Sequence, residues 1–363
     1  MPKFKVLQRG DPAPWFKGRS TANPSFAFDT VAGRNIVLCF VQSSADPAAR
    51  VILDEAYKAQ VFDDQHACLF VVSCDPQDEA ENRLSQLLPG KRVFWDFDGA
   101  ISRTYGALSE DESRGWRRLW IVLDPALRVI DVADYGATAS AQLLADVAAL
   151  PAAGSRNEWP PVLSLPNVLE PELCAKLIAL YQAQGGVESG FMREEGGKTV
   201  LQHDYAHKRR RDVLVKDAEL TKTLQARVNR RIVPEIAKAF QFKVTRMERY
   251  LIGCYTAEDG GHFRPHRDNT TAGTAHRRFA VTVNLNQEFE GGELAFPEFG
   301  TRSYKPTPGG AIVFSCSLLH TVHRVTKGER YAFLPFLYDE AAASIRERNN
   351  PNLGDGVIEY KKA

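Results

Sequence analysis

Apolar positions in the first 150 residues fall into short unbroken runs separated by stretches with helical spacing. Asn35–Val41 (NIVLCFV) and Ala67–Cys74 (ACLFVVSC) show no polar alternation, the pattern of strands covered on both faces. Pro47–Lys58, Gln77–Leu88 and Ala139–Leu150 carry apolar residues at helical intervals, and Trp116–Leu123 predicts a third strand. Alternating strands and helices of this kind predict an α/β domain with a mainly parallel sheet. The pattern changes after Pro151–Pro161 (PAAGSRNEWPP), whose Pro, Gly and polar content predicts a linker. Helical spacing returns over Pro171–Ala183 and 218–240. From Val244 onward, short β-rich runs (MERYLIGCY, RRFAVTVNLN, GGELAFP, GGAIVFSCS, RYAFLPFLY) are divided by Gly and Asn turns. Many short strands with such punctuation predict a barrel or double-sheet jelly roll with supporting helices. The expected organisation is a first domain over 1–150, a linker over 151–161, a second domain over 162–345 and a tail over 346–363.

Composition narrows the class without naming a function. The 363 residues are 44% hydrophobic and 25% charged, as in water-soluble globular proteins, and the net charge is +1. That balance supplies no global field toward nucleic acid or membrane. No window approaches the roughly 20 apolar residues of a membrane span, and the N-terminus lacks a signal-peptide core. The six cysteines include no Cys-x-x-Cys pair and lie mostly in apolar runs, which predicts buried thiols and a reducing cytoplasm. His207–Arg211 (HKRRR), with Arg227, Arg230 and Arg231, is locally basic. It reads as a solvated face, or as a barrel rim that meets an acidic protein or anionic substrate. Nucleic acid is disfavoured because no aromatic residues interleave for base stacking.

The chemistry is concentrated late in the chain. His266-Arg267-Asp268 on a strand aims an imidazole and a carboxylate the same way, because side chains two apart leave one face. A His-x-Asp alone is common. Joined to His320, it gives two histidines and one carboxylate, the facial triad suited to non-haem Fe(II). Arg330 follows His320 by ten residues, in RYAFLPF. A guanidinium inside a small barrel is costly without an anion, and a dicarboxylic cosubstrate would supply one. His323, three residues beyond His320, is the alternative ligand. His262, His276 and His323 read as rim or solvated residues.

At Tyr255, His266, Asp268, Leu285-Asn286, Gly291-Gly292, His320 and Gly328-Glu329-Arg330, the second half resembles the 2-oxoglutarate/Fe(II)-dependent dioxygenases of the prolyl 4-hydroxylase type. The resemblance implies a double-stranded β-helix with iron on His266, Asp268 and His320. It places the distal carboxylate of 2-oxoglutarate on Arg330 and Tyr255 near the cosubstrate. It further implies hydroxylation of a protein or peptide side chain, prolyl by subfamily, with ascorbate as an accessory. Arg324 stands where many relatives have proline, and Asn284 where animal prolyl hydroxylases have a cosubstrate-binding tyrosine.

Residues 10–135 resemble the peroxiredoxins, a thioredoxin fold, through Gly10-Asp11-Pro12-Ala13-Pro14, Ser73-Cys74-Asp75, Trp95-Asp96, Tyr105-Gly106 and Arg118. Where that family has Pro-x-x-x-Thr-x-x-Cys, this chain has Gln42, Asp46 and Ala49 in place of proline, threonine and cysteine. Without that sulfur the domain is left with binding a protein, pairing into a homodimer or presenting substrate. Two other readings stay open: an iron, 2-oxoglutarate or O2 sensor without turnover, and a thiol redox protein working through Cys74.

Overall fold

The computed structural model describes residues 3–111, 115–135 and 137–361. The chain divides into two compact units, 1–159 with 297–301, and 160–296 with 302–363.

The first unit is built on a seven-stranded sheet. Asn35–Val41, Ala67–Ser73 and Lys91–Trp95 run parallel at its centre, and the two continuous apolar runs are fully buried. Leu119–Leu123 then pairs antiparallel with Asn35–Val41, Val129–Asp134 pairs antiparallel with it in turn, and Lys17–Ser20 closes the other side. The mainly parallel expectation is therefore corrected to a mixed sheet. The physical reason is a tight connection at Asp124–Arg128, with Leu127 at φ 58°, which makes the last two strands a hairpin instead of a crossover. The helix expected over Gln77–Leu88 is also corrected. Asp75 caps a helix at Pro76–Ala80, and Asn82 turns into the left-handed region at φ 52°. Beyond it Leu87 exchanges backbone hydrogen bonds with Lys91, opening a strand, Lys91–Trp95, that its charged start had disguised.

The second unit is an antiparallel jelly roll. Its larger sheet includes Arg211–Leu214, Leu251–Thr256, Phe279–Asn284, Ala311–Ser315, Val325–Phe333 and Phe336–Tyr338. The smaller sheet contains Lys208–Arg209, His262–His266, His320–Val322, Leu294–Ala295 and Ser303–Tyr304. Helices Pro171–Gln184, Ala218–Arg231 and Val233–Phe240 bury Leu177, Leu224, Val228 and Ile236 in one core with Val281, Val283, Val313 and Phe333. The single helix expected over 218–240 breaks at Ile232, because Pro234 has no N–H to donate and its ring crowds the preceding turn. A two-stranded arm, Phe191–Glu195 with Lys198–Gln202, turns on Gly196 and Gly197, both at positive φ as such a hairpin requires.

Candidate metal centre

His266 ends its strand and lies opposite His320, which opens the neighbouring strand of the smaller sheet. Asp268 is not on the strand, contrary to the reading of His-x-Asp as a pleat motif. Here the chain has left the ladder, and its backbone N–H is held by the Cys316 carbonyl at 2.9 Å. His320 likewise is not carried by one continuous run, since Ala311–Ser315 ends and a turn precedes it. These two departures still bring the three side chains together. One ligand atom from each of His266, Asp268 and His320 lies within 4.8 Å of the others. His266 Nε2 is 3.6 Å from Asp268 Oδ1, and His320 Nε2 is 3.3 Å from Asp268 Oδ2.

The outer ring nitrogens are already committed. His266 Nδ1 meets the Arg264 carbonyl at 2.7 Å and His320 Nδ1 meets the Leu318 carbonyl at 3.0 Å. A carbonyl only accepts, so each Nδ1 carries the proton and each Nε2 presents a lone pair to the shared point, the arrangement that orients metal-binding histidines. Phe263 stacks on His266 with centroids 3.4 Å apart, and Phe314 meets His320 edge-on at 4.6 Å, fixing both rings against apolar walls. Burial, reinforced by His320, pushes His266 down to about 4. Burial alone would raise the Asp268 carboxyl, but His320, His266 and Arg277 outweigh it and hold it well below the usual range. The set is thus unprotonated at neutral pH at both of these positions, as ligation requires.

Arg330 comes from the larger sheet, opposite Tyr255 in register. Its Nε donates to Asn284 Oδ1 at 3.2 Å and its Nη2 to Thr282 Oγ1 at 2.9 Å. Nη1 is buried with no hydrogen-bond partner among the described residues, and burial lowers the guanidinium from its ordinary value. Such an orphaned donor is costly, and a carboxylate would satisfy it. Gly292 keeps this space open: it sits at φ 71°, and a Cβ there would press on Val325 Cγ2 at 2.8 Å and Arg330 Cδ at 3.3 Å. Tyr255, 2% exposed, has guanidinium carbons of Arg330 and Arg210 at 5.5 and 5.7 Å from its ring centre. Asn284 braces Arg330 and donates its amide to the Pro306 carbonyl at 2.9 Å.

The basic segment His207–Arg211 departs from the expected solvated face, although Arg209 lines an outer groove. Lys208, Arg210 and Asp212 are buried while Arg209 and Arg211 face outward, so HKRRRD is a period-two pattern and not a solvated face. Arg210 forks onto Asp212 at 2.6 and 2.8 Å and reaches the Tyr255 hydroxyl at 3.4 Å. His276 is also corrected from a rim residue to a buried one, 3.2 Å from Glu248. His262 and His323 line an outer groove of about 930 Å³ with Arg209, Arg264 and Arg324, and neither joins the triad.

In the first unit, Asp46 caps the helix Pro47–Lys58 and pairs with Arg118 at 2.9 Å, and Ala49 is buried in that helix. Burial pushes the Cys74 thiol up to about 12, with Asp96 adding to the effect and Ser102 opposing it.

Comparison with known proteins finds matches in both halves of the chain. Residues 250–338 match the model of the 2OG-Fe(II) oxygenase superfamily, and residues 9–131 match that of the AhpC/TSA family. Each of the two matches covers less than half of the chain. Over 100 residues the chain is 37% identical to a PKHD-type hydroxylase of Delftia acidovorans, which is 25% of this chain and 44% of that protein. It is 34% identical over 91 residues to a PKHD-type hydroxylase of Pseudomonas fluorescens, covering 23% and 39%. The chain thus spans less than half the length of these relatives. A solved prolyl hydroxylase from Trichoplax adhaerens, in complex with a hypoxia inducible factor oxygen degradation domain peptide fragment, aligns with TM-score 0.42 and 18% identity. That alignment covers 51% of this chain and 86% of the other.

Proposed function

We propose that the second unit is a 2-oxoglutarate- and Fe(II)-dependent dioxygenase that hydroxylates a side chain of a protein or peptide, prolyl in preference. The observations that carry this reading are three convergent ligand atoms and, from the larger sheet of the same unit, a buried Arg330 Nη1 without a hydrogen-bond partner among the described residues. His266, Asp268 and His320 would hold Fe(II), and the arrangement leaves coordination positions for other ligands. Bound there, Fe(II) supplies O2 activation coupled to oxidative decarboxylation of the keto diacid. The chain's own residues do the positioning. Arg330, braced by Asn284 and Thr282, offers Nη1 to the distal carboxylate, and Tyr255 lies against the same guanidinium. The carbonyls of Arg264 and Leu318 keep both imidazoles in one tautomer. Phe263 packs on His266, and Phe296 and Phe314 pack on His320, fixing the two rings.

Prolyl preference is supported by the hydroxylase relatives and the subfamily resemblance. Ascorbate as an accessory reductant follows from the same resemblance. A cytoplasmic setting is supported by six free cysteines, five of them buried. Among the described residues no helix is long and apolar enough to cross a membrane. The test is succinate release with proline-containing peptides, read together with the mass of the peptide. Succinate formed in step with a peptide gain of one oxygen supports the reading. Uptake of metal and cosubstrate without turnover on any peptide favours a sensor instead.

A further inference from the structure

The three cations that meet around Asp212 outnumber its charge. Arg210 takes both carboxylate oxygens, and Arg249 Nη2 approaches Oδ2 at 3.6 Å. Ser189 Oγ donates to that same oxygen and accepts from Lys208 Nζ at 2.7 Å. The second hydrogen bond of Lys208 goes to the Gly190 carbonyl at 2.6 Å, and among the described residues no carboxylate pairs with it. Lys208 is only 4% exposed. A buried ammonium satisfied by a hydroxyl, a carbonyl and a ring face is expensive unless a charge of opposite sign arrives.

Arg249 adds an independent sign of purpose. It is a non-glycine residue at φ 62°, a conformation that costs free energy and persists where the surroundings impose it. Its guanidinium carbon lies 5.6 Å from the Phe336 ring centre, and its side chain is 30% exposed, so it opens to solvent while it shares Asp212. The neighbouring carboxylate, Glu248, is already occupied by Arg277 at 2.8 Å and Arg346 at 2.7 Å. Burial, with Arg210 adding repulsion, draws the Lys208 ammonium well below its ordinary value. The cluster adjoins the triad, because Lys208 Nζ lies 4.9 Å from the ring centre of Phe263, the ring that stacks on His266.

Resting on the oxygenase reading, we propose that Lys208 and Arg249 form an anion subsite for the substrate, which therefore carries a carboxylate close to the residue that is hydroxylated. Arg330 is reserved for the cosubstrate, so this is a second anion and a separate position. The carboxylate could belong to an Asp or Glu within a peptide or to a free amino acid.

The experiment loads the full chain with Mn(II) and 2-oxoglutarate, an inert pairing, and offers two probe sets. One is a pool of end-capped peptides differing only by Glu, Gln or Lys beside the central residue; the other is free glutamate and glutamine. Retained probes are quantified by mass spectrometry. The expected result is retention of Glu peptides about 10-fold above Gln peptides, the order of one hydrogen bond to a charged group, with Lys peptides lowest. Lys208→Met and Arg249→Gln should erase that preference while Mn(II) and 2-oxoglutarate uptake persists, and Arg249→Lys should keep it. Retention of free glutamate over glutamine, without a peptide preference, would support the subsite and assign the carboxylate to a small molecule. Equal retention of acidic and amide probes by loaded protein overturns the subsite alone. Failure of the wild-type chain to take up Mn(II) and 2-oxoglutarate overturns the oxygenase reading, and the subsite with it.

Discussion

His320 and His323 stand three positions apart, yet only one can serve the site. His320 is buried at Asp268, whereas His323 is half exposed and loosely placed 3.8 Å from Glu293. His320→Ala and His266→Ala are expected to lose bound iron and all 2-oxoglutarate turnover, while His323→Ala keeps both. Metal content by elemental analysis, beside succinate assays, checks this; loss at His323 with retention at His320 would reverse the assignment. Arg330→Ala removes a charge-assisted pair of about 1.5–3 kcal/mol. It should raise the 2-oxoglutarate requirement roughly 10- to 100-fold, with metal content unchanged. The clustered His266, Asp268 and His320 could be named from the sequence because their residue types are chemically narrow, although Asp268 lies off the strand that carries His266 and a turn precedes His320. Lys208, Arg210 and Asp212 were not, because a run of like charges looks solvated until its alternation is read as a strand. Asn284 was legible only as a departure; its role as a brace for Arg330 appears with the distance between them.

At the scale of elements, strong periodicity was readable and short edges were not. The buried strands of the first unit and the helices Pro47–Lys58 and Pro171–Gln184 follow from their patterns, since apolar burial dominates them. Arg246–Glu248, Lys208–Arg209 and His320–Val322 are two or three residues long, too short to show a period. Glu248 shows what such a short element does. It is 7% exposed; Arg346 joins its carboxylate to the helix Glu340–Arg348, while His276 and Arg277 join it to the segment before Phe279–Asn284. Burial would raise that carboxyl, but these cations hold it well below the usual range. Its folded value is depressed, so the stabilisation is present above the unfolded value near about 4.3. It is lost as pH falls toward the folded value. Glu248→Gln should destabilise the second unit by about 3–5 kcal/mol at neutral pH and flatten the decline of stability below pH of about 4. Denaturant melts at a series of pH values check this, and an unchanged acid limb would refute it.

At the scale of the whole molecule, the two units offer different chemistry. The AhpC/TSA-type unit keeps Arg118 but commits it to Asp46, and Ala49 lies buried at the position where the family resemblance places its sulfur. Its remaining half-buried thiol, Cys74, is held protonated at neutral pH by burial and by Asp96. A protonated thiol is a poor nucleophile. Peroxide consumption by the full chain should therefore stay at the level of a Cys74→Ser variant, and modification of Cys74 should be slow at pH of about 7. A peroxidase rate abolished by that substitution would restore the thiol redox reading.

The most direct test of the account is anaerobic titration of the full chain with Fe(II) and then 2-oxoglutarate, followed by absorbance and equilibrium dialysis. The account predicts one iron and one 2-oxoglutarate per chain, with Asp268→Ala losing iron and Arg330→Ala keeping iron but weakening 2-oxoglutarate. Absence of iron uptake, or uptake indifferent to Asp268, would contradict it.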